Sequence, residues 1–266
     1  MFRAIPLLLI AVCGYICYNA GTMLKKLAVI APGLALVLLG ASCAAQINGS
    51  LKGDGQADLQ IRAALEPRMA ALIGGLAAAS GAAPGGAAAP ILNGPAIATS
   101  MSSAPGVASV SFKNTAPAAI EGPVKIAKIG DFLASGKASF ITFEQNARGG
   151  AASGGRCTIT LSLDSGPELL ALISPEINDY LAALMAPLAT GEAMTKAQYV
   201  ILVSSVYSRN IADEISKAVI RASIEFPGPV QSAQGGTFSG RRAEFVIPLL
   251  DVLVLETPLS YEVVWR

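Results

Sequence analysis

An α+β fold, in which an antiparallel β-sheet built from N-terminal and C-terminal hairpins carries an α-helical layer on one face, is predicted by three features of this sequence. Residues 46–65 alternate apolar and polar side chains about Asp54-Gly55, and residues 217–265 hold further β-rich runs separated by Pro-Gly and Gly-Gly. Between them Leu169, Ile173, Ile177, Leu181, Leu184 and Leu188 recur at steps of four, four, four, three and four. A repeat of two lays apolar side chains on one face of a strand, and a repeat near 3.6 lays them on one face of a helix. Sheet-forming ends around a helical middle make an α+β arrangement.

The first hairpin sets Ile47, Gly49 and Leu51 on one face of its first strand and Ala57, Leu59 and Ile61 on one face of its second, with Asp54-Gly55 as the turn. Pro67 suits the first turn of a helix to Ala79 that places Met69, Leu72, Ile73 and Leu76 on one side. The uncharged Gly/Ala/Pro stretch 81–90 has no periodicity and reads as a flexible connector, and residues 91–103 form a second short helix. Strand signals resume at 107–113, break across 114–123 where Pro117 and Pro123 fall, and return at 124–129. One helical turn is expected at 131–134, a strand at 138–145, a Gly/Ala-rich hairpin loop at 146–155 and a strand at 157–163. Cys157 in that strand reads as a small buried apolar residue, the rival being a reactive thiol.

In the helical middle, Ser174-Pro175-Glu176 supplies a cap and a first-turn proline that divide the stripe into two helices. Thr195-Lys196-Ala197-Gln198 is a capping box opening a helix to Tyr207, with continuation to Ser216 left open. A stripe of this kind either packs on a sheet or offers its apolar face to lipid; for the second role the candidates are Leu169, Ile173, Ile177, Leu181 and Leu184. The last part is read as strands at 217–226, 241–255 and 259–265, with turns at Pro227-Gly228 and Gln234-Gly235-Gly236. Pro248 and Pro258 point to edges or strand ends.

Composition narrows the function. Apolar residues are 53% of the 266 and charged residues 14%, yet aromatics are only 6%, so alanine carries much of the apolar count. Three of the 19 bases precede Cys43, which leaves 16 bases against 18 acids after it, a net charge of −2 that offers no basic surface to nucleic acid. The chain has no histidine, which removes the commonest general base and the usual metal ligand. Of four cysteines only Cys157 lies beyond Cys43, too few for a disulfide framework or a zinc site.

Residues 23–42 have the three parts of a secretory signal: Lys25 and Lys26, an apolar run from Leu27 to Leu39, and the small residues Gly40-Ala41-Ser42. The apolar run is too short to span a bilayer, and no 18-residue apolar run follows Cys43. Leu39-Gly40-Ala41-Ser42-Cys43 resembles the relaxed lipobox of spirochaete lipoproteins, with Gly40 where leucine is usual. The resemblance implies that Cys43 is acylated, an ordinary cleaved signal and an uncleaved anchor being the other readings; residues 43–266 are then read, from the strand and helix pattern, as a single α+β ectodomain. Residues 1–22 carry a second apolar run. Either translation starts at Met23, or two short apolar segments form a helical hairpin.

The succession Ile224-Glu225-Phe226-Pro227-Gly228, Val230, Gly235-Gly236, Gly240 and Val263-Val264-Trp265, together with Gly53-Asp54-Gly55 just after Cys43, resembles the LppM-type lipoprotein domain. The resemblance implies an α+β ectodomain tethered to a membrane, contact with envelope glycolipids as in the mycobacterial member, and no catalytic residue. The helical segment 167–216 departs from that pattern.

Motifs for chemistry are weak. Gly149 to Gly155 is glycine-rich but lacks the Gly-Lys-Ser/Thr ending of a phosphate-binding loop. Ser162, Ser165 and Ser204-Ser205 have no Ser-x-x-Lys or Gly-x-Ser-x-Gly setting. Glu176 with Asp179, and Asp213 with Glu214, sit at helix starts where acids favour the dipole, and residues 54–58 have no closing glutamate for calcium. The expectation is a non-enzymatic protein of the bacterial cell envelope, anchored through acyl chains on Cys43. It needs no cofactor and binds a lipid, a glycolipid or the membrane surface through an apolar helical face. The rivals are a structural accessory of an envelope assembly, working on a protein partner, and an enzyme of unfamiliar type.

Overall fold

The computed structural model describes residues 43–79, 90–134, 138–148, 151–165, 168 and 192–266. Strands β1 (Cys43–Leu51) and β2 (Ala57–Ala64) form the expected hairpin. Its register places Ile47 opposite Ile61, Gly49 opposite Leu59 and Leu51 opposite Ala57, so the two alternating sets share one face. In the turn, Asp54 accepts hydrogen bonds from the Gln56 backbone N–H and side-chain amide, and Gly55 takes a φ of 81°. Helix α1 (Pro67–Ala79) buries Met69 and Ile73, as its spacing requires. Helix α2 (Gly94–Ser102) starts at Asn93, whose side chain accepts from the Ala96 N–H.

Strands β3 (Val107–Val110), β4 (Lys113–Ala116) and β5 (Ala119–Ile126) occupy the stretch expected to be broken at 114–123. Pro123 is tolerated because β5 meets the gap between β3 and β4 at that point, where its carbonyl accepts from the Ser111 N–H. The missing proline N–H points at the same gap and removes no ladder bond. Gly122 permits the crossing, since a Cβ there would overlap the Ser111 carbonyl. Next come α3 (Ile129–Ala134), β6 (Ile141–Arg148) and β7 (Ala151–Leu161). Pairing of β6 with β7 runs out to Arg148 and Ala151, so most of the expected 146–155 loop is strand.

Helices α4 (Lys196–Val206) and α5 (Arg209–Lys217) fill the stretch read as one helix with an open continuation. The Thr195 and Gln198 capping box is formed at the start of α4. The division comes at Ser208, which is extended and caps α5 by accepting from the Ile211 N–H. After β8 (Val219–Glu225), β9 (Val230–Gln234) and β10 (Thr237–Ser239), the run 241–255 proves to be two elements, β11 (Arg242–Pro248) and helix α6 (Leu249–Val254). Pro248 ends the strand and opens the helix; continuous hydrophobicity across it hid the change of period. Strand β12 (Leu259–Trp265) closes the chain.

The architecture is α+β as expected, with the strands divided between two sheets. The larger has the order β10-β11-β8-β1-β2-β5-β3, with β4 also on β5, and the smaller has β6-β7-β12-β9. Among the described residues the strand pairs are antiparallel except β1 with β8, which run parallel and join the two hairpin systems. The inner faces meet: Phe245 of β11 touches Tyr261 of β12 edge-on, at 5.7 Å between ring centroids.

Two cores result. One gathers Leu51, Val124, Phe226, Val230, Ala243, Val263 and Trp265 at the end of the sheets distant from Cys43. Trp265 is 1% exposed and packs on Phe143 and Phe226. Its indole also lies against Gly155, where a Cβ would strike the ring, so this glycine serves packing. The other core gathers α1, α4, α5 and α6 through Met69, Ile73, Tyr199, Val203, Ile211, Ile215, Leu253 and Val254 against Leu161 of β7. Each large side chain buried this way contributes about 1.5–3 kcal/mol.

Replacing Gly122 by Ala is expected to lower stability by about 2 kcal/mol through overpacking at the β3–β4 crossing. Ser208→Ala is expected to cost about 1 kcal/mol through the lost cap. Urea unfolding followed by Trp265 fluorescence measures both.

Candidate functional site

Among the strands, each alternation should bury one face. Across the larger sheet the inner face is a continuous apolar set: Val124, Leu59, Gly49, Ile224 and Ala243 in one row, and Gly122, Ile61, Ile47, Ala222 and Phe245 in the next. A further row holds Ala45, Ile220 and Ile247. The smaller sheet turns Ile141, Phe143, Cys157, Ile159, Tyr261 and Val263 inward. Burial is complete at the two cores but not between them. Ile47, Ile220, Ala222, Ile247 and Ile141 are half-buried, and none of them belongs to either core cluster. An apolar strip thus runs along the inner face from Ile220 and Ile247 near the Cys43 end to the row of Ile47 and Ala222, half-buried at these residues.

The strip contains no charged side chain, and its polar groups are the Tyr261 hydroxyl and the Cys157 thiol. Burial pushes the thiol up from its ordinary 9.0 to about 11 and raises Tyr261 as well. A thiol shifted that way stays protonated near neutrality, which suits packing and not nucleophilic attack. Chemically the strip can bury aliphatic surface and little else.

The outer face of the larger sheet is the opposite in character. A shallow depression of about 460 Å³ is lined there by Asn48, Ser50, Asp58, Gln60, Lys125 and Arg242. Lys52 lies 2.6 Å from Asp58, and both Arg62 and Lys113 pair with Glu121 at 3.0 and 2.9 Å. The hydrogen bond from Lys52 holds the Asp58 carboxyl below its ordinary value, and those from Lys113 and then Arg62 do the same for Glu121. These acids are ionised and partnered at neutral pH, as in a cross-strand charge ladder facing water. Among the described residues no group of three or more His, Cys, Asp or Glu side chains could hold a metal.

Cys43 is the first residue of β1, paired with Val219 of β8. Leu169, Ile173, Ile177, Leu181 and Leu184 lie outside the described residues, as do the leader segment 1–42, Glu176, Asp179 and all but Pro90 of the connector 81–90. Glu214 serves the fold, because its carboxylate accepts from the Met69 N–H and pairs with Arg68, completing the start of α1. The half-open strip was not singled out from sequence, although its signal was present. Ile47, Leu59 and Ile61 were recognised as one face of a hairpin, but alternation marks an inward face without saying how fully it is covered.

No protein-family model matches the chain, and no curated protein sequence matches it. By structure it is similar to the folded domain of the Mycobacterium tuberculosis LppM protein, determined by NMR. The alignment covers 85% of this chain and 91% of that one, at 12% identity and a TM-score of 0.35, a slight likeness. Among the described residues no helix is long and apolar enough to cross a membrane.

The thiol gives a test of the inner face. The unfolded thiol ionises first as pH rises, so stability is expected to fall between pH 9 and about 11, where only the unfolded state has lost the proton. Urea midpoints at about pH 8 and about pH 10.5 should show this loss in the wild type, and a smaller one in Cys157→Ala.

Proposed function

We propose that this protein is a non-enzymatic lipoprotein of the bacterial cell envelope. It is held by acyl chains on Cys43 and accommodates an aliphatic chain of an envelope lipid along the strip between its sheets. The observation that carries the reading is the half-buried set Ile47, Ile220, Ala222, Ile247 and Ile141, which neither core covers completely. Exposed aliphatic surface inside a two-sheet body is costly in water, and each methylene laid along it would recover roughly 0.8 kcal/mol. Sites of this sort are mostly apolar with few polar groups, as this one is. The stripe Leu169, Ile173, Ile177, Leu181 and Leu184 is a further candidate wall for the same ligand.

The anchoring half rests on the leader 23–42 and its small residues before Cys43. Two or three acyl chains hold a protein stably at a bilayer where one does not.

Labelled palmitate is expected to enter the full-length protein and to be absent from Cys43→Ala, which should also move from the detergent phase to the aqueous phase of a detergent split. Lipid mass spectrometry of purified residues 44–266 is expected to find bound lipid, and Ile47→Glu to remove most of it by placing a charge in the strip. A preparation free of lipid that also ignores liposomes would overturn the binding half and leave an accessory role with a protein partner.

A further inference from the structure

Helix α4 is apolar on both sides. Tyr199 and Val203 point into the helical core at 1% and 3% exposure, while Ile201, opposite them, is 68% exposed, and Leu202 and Val206, on the flank between, are 38% and 60% exposed. Leu202 and Val206 are one turn apart, and Ile201 lies about 100° round the helix from Leu202, so the three span an arc of about 140° that also carries Gln198 and Ser205. Of five large exposed apolar residues among the described ones, three are in this patch. Patches like this mark contact surfaces and not ordinary solvated helix.

Connectivity places the patch at a defined end of the molecule. Cys43 pairs with Val219, and Val219 pairs with Pro248. Helix α5 ends at Ala218, and the Leu249 N–H at the start of α6 donates to the Ala218 carbonyl. Lys196 at the start of α4 reaches Asp251 of α6 at 2.9 Å. Helix α1 follows β2 at the same end, because Ala63 lies opposite Ala45. Helices α1, α4, α5 and α6 therefore gather at the Cys43 end of the sheets, and Trp265 lies at the other with Phe226 and Val230. Strand β1 begins at Cys43 itself, so no linker separates that residue from the folded body. A linker would give roughly 3.3–3.6 Å of freedom per residue; with none, an anchor on Cys43 holds this end against the headgroups.

We infer that the α4 patch of Ile201, Leu202 and Val206 lies on the surface of the bilayer that holds Cys43. The inference rests on the proposed acylation of Cys43. The patch inserts its three side chains at the headgroup boundary, as interfacial apolar helices do. Exposed Arg209 and Lys217 of α5 favour anionic headgroups at this end, and exposed Asp213 between them, with exposed Glu256 at the start of α4, opposes this. The acyl chains hold the body to the membrane, and the patch fixes which way it leans.

The test uses full-length protein carrying Ile201→Trp, reconstituted in vesicles of brominated phosphatidylcholine with phosphatidylglycerol. Trp265 is fully buried in the distant core and gives the unquenched baseline. The introduced indole is expected to shift to the blue and lose about half its emission to the brominated chains. Phe238→Trp, at the distant end on β10, is expected to stay bright, and Leu202→Ser with Val206→Ser added to Ile201→Trp should restore most of the lost emission. Palmitate labelling is run on the same samples. An indole that stays bright and red-shifted on palmitoylated protein overturns the docking alone, as does one that is blue-shifted but unquenched, which would mean that protein covers the patch. Absence of palmitate from Cys43 overturns the docking together with the anchor it rests on.

Discussion

The parallel ladder between β1 and β8 is the interaction on which the rest of this structure depends. Seven backbone positions of β1, from Cys43 to Ser50, are matched to β8, from Val219 to Glu225, and among the described residues this is the ladder that joins the N-terminal strands of the larger sheet to the C-terminal ones. Parallel pairing requires both strands to start at the same end. That end is where α5 delivers the chain into β8, where α6 leaves β11 and where α1 leaves β2, so these helices and α4 gather there, while α2 and α3 pack on the other core. Had the same two hairpins met antiparallel, Cys43 would lie at the far end from α5 and α6.

The same ladder explains why the inner face is covered unevenly. Four helices cover part of the Cys43 end, leaving Ile220 and Ile247 half-buried there, and the aromatic group around Trp265 seals the other end. Rows in the middle, where Ile47 meets Ala222 and Phe245, face Tyr261 and the rest of the smaller sheet with partial cover. Close packing is the rule in protein interiors, and a stretch of aliphatic side chains left part-open is costly unless something occupies it. A water-filled polar site would carry charged or hydrogen-bonding groups, and this strip carries a tyrosine hydroxyl and a protonated thiol. Charge is instead segregated to the outer face, where Lys52 with Asp58, and Arg62 and Lys113 with Glu121, form ladders across strands. The two faces of one sheet thus divide the labour, aliphatic inside and ionic outside, as alternation with a period of two provides.

Much of the local structure was legible beforehand, and the failures have particular causes. The Asp54-Gly55 turn and the Thr195-Gln198 capping box formed as their residues dictate, because turn and cap chemistry is decided within four residues. Pro123 misled because a proline argues against a strand unless its missing N–H faces a gap, and the gap between β3 and β4 is created by other residues. Helix α6 was hidden in a run of aliphatic residues, where strand and buried helix look alike. Ser208 divided a helix that could have continued, since its capping role appears only when the backbone turns there.

Sequence alone determined the fold class, the first hairpin, the Thr195 capping box and the apolar character of the inner face, since each follows from short-range spacing and side-chain chemistry. Only the tertiary structure decided that the hairpins meet in parallel, that strands divide into two sheets, that α1, α4, α5 and α6 collect beside Cys43 and that Ile47, Ile220 and Ile247 are left half-open. Those facts depend on contacts between residues more than a hundred positions apart, such as Cys43 with Val219. A period of two or 3.6 says which face of an element is apolar, and it is silent on which other element arrives to cover it.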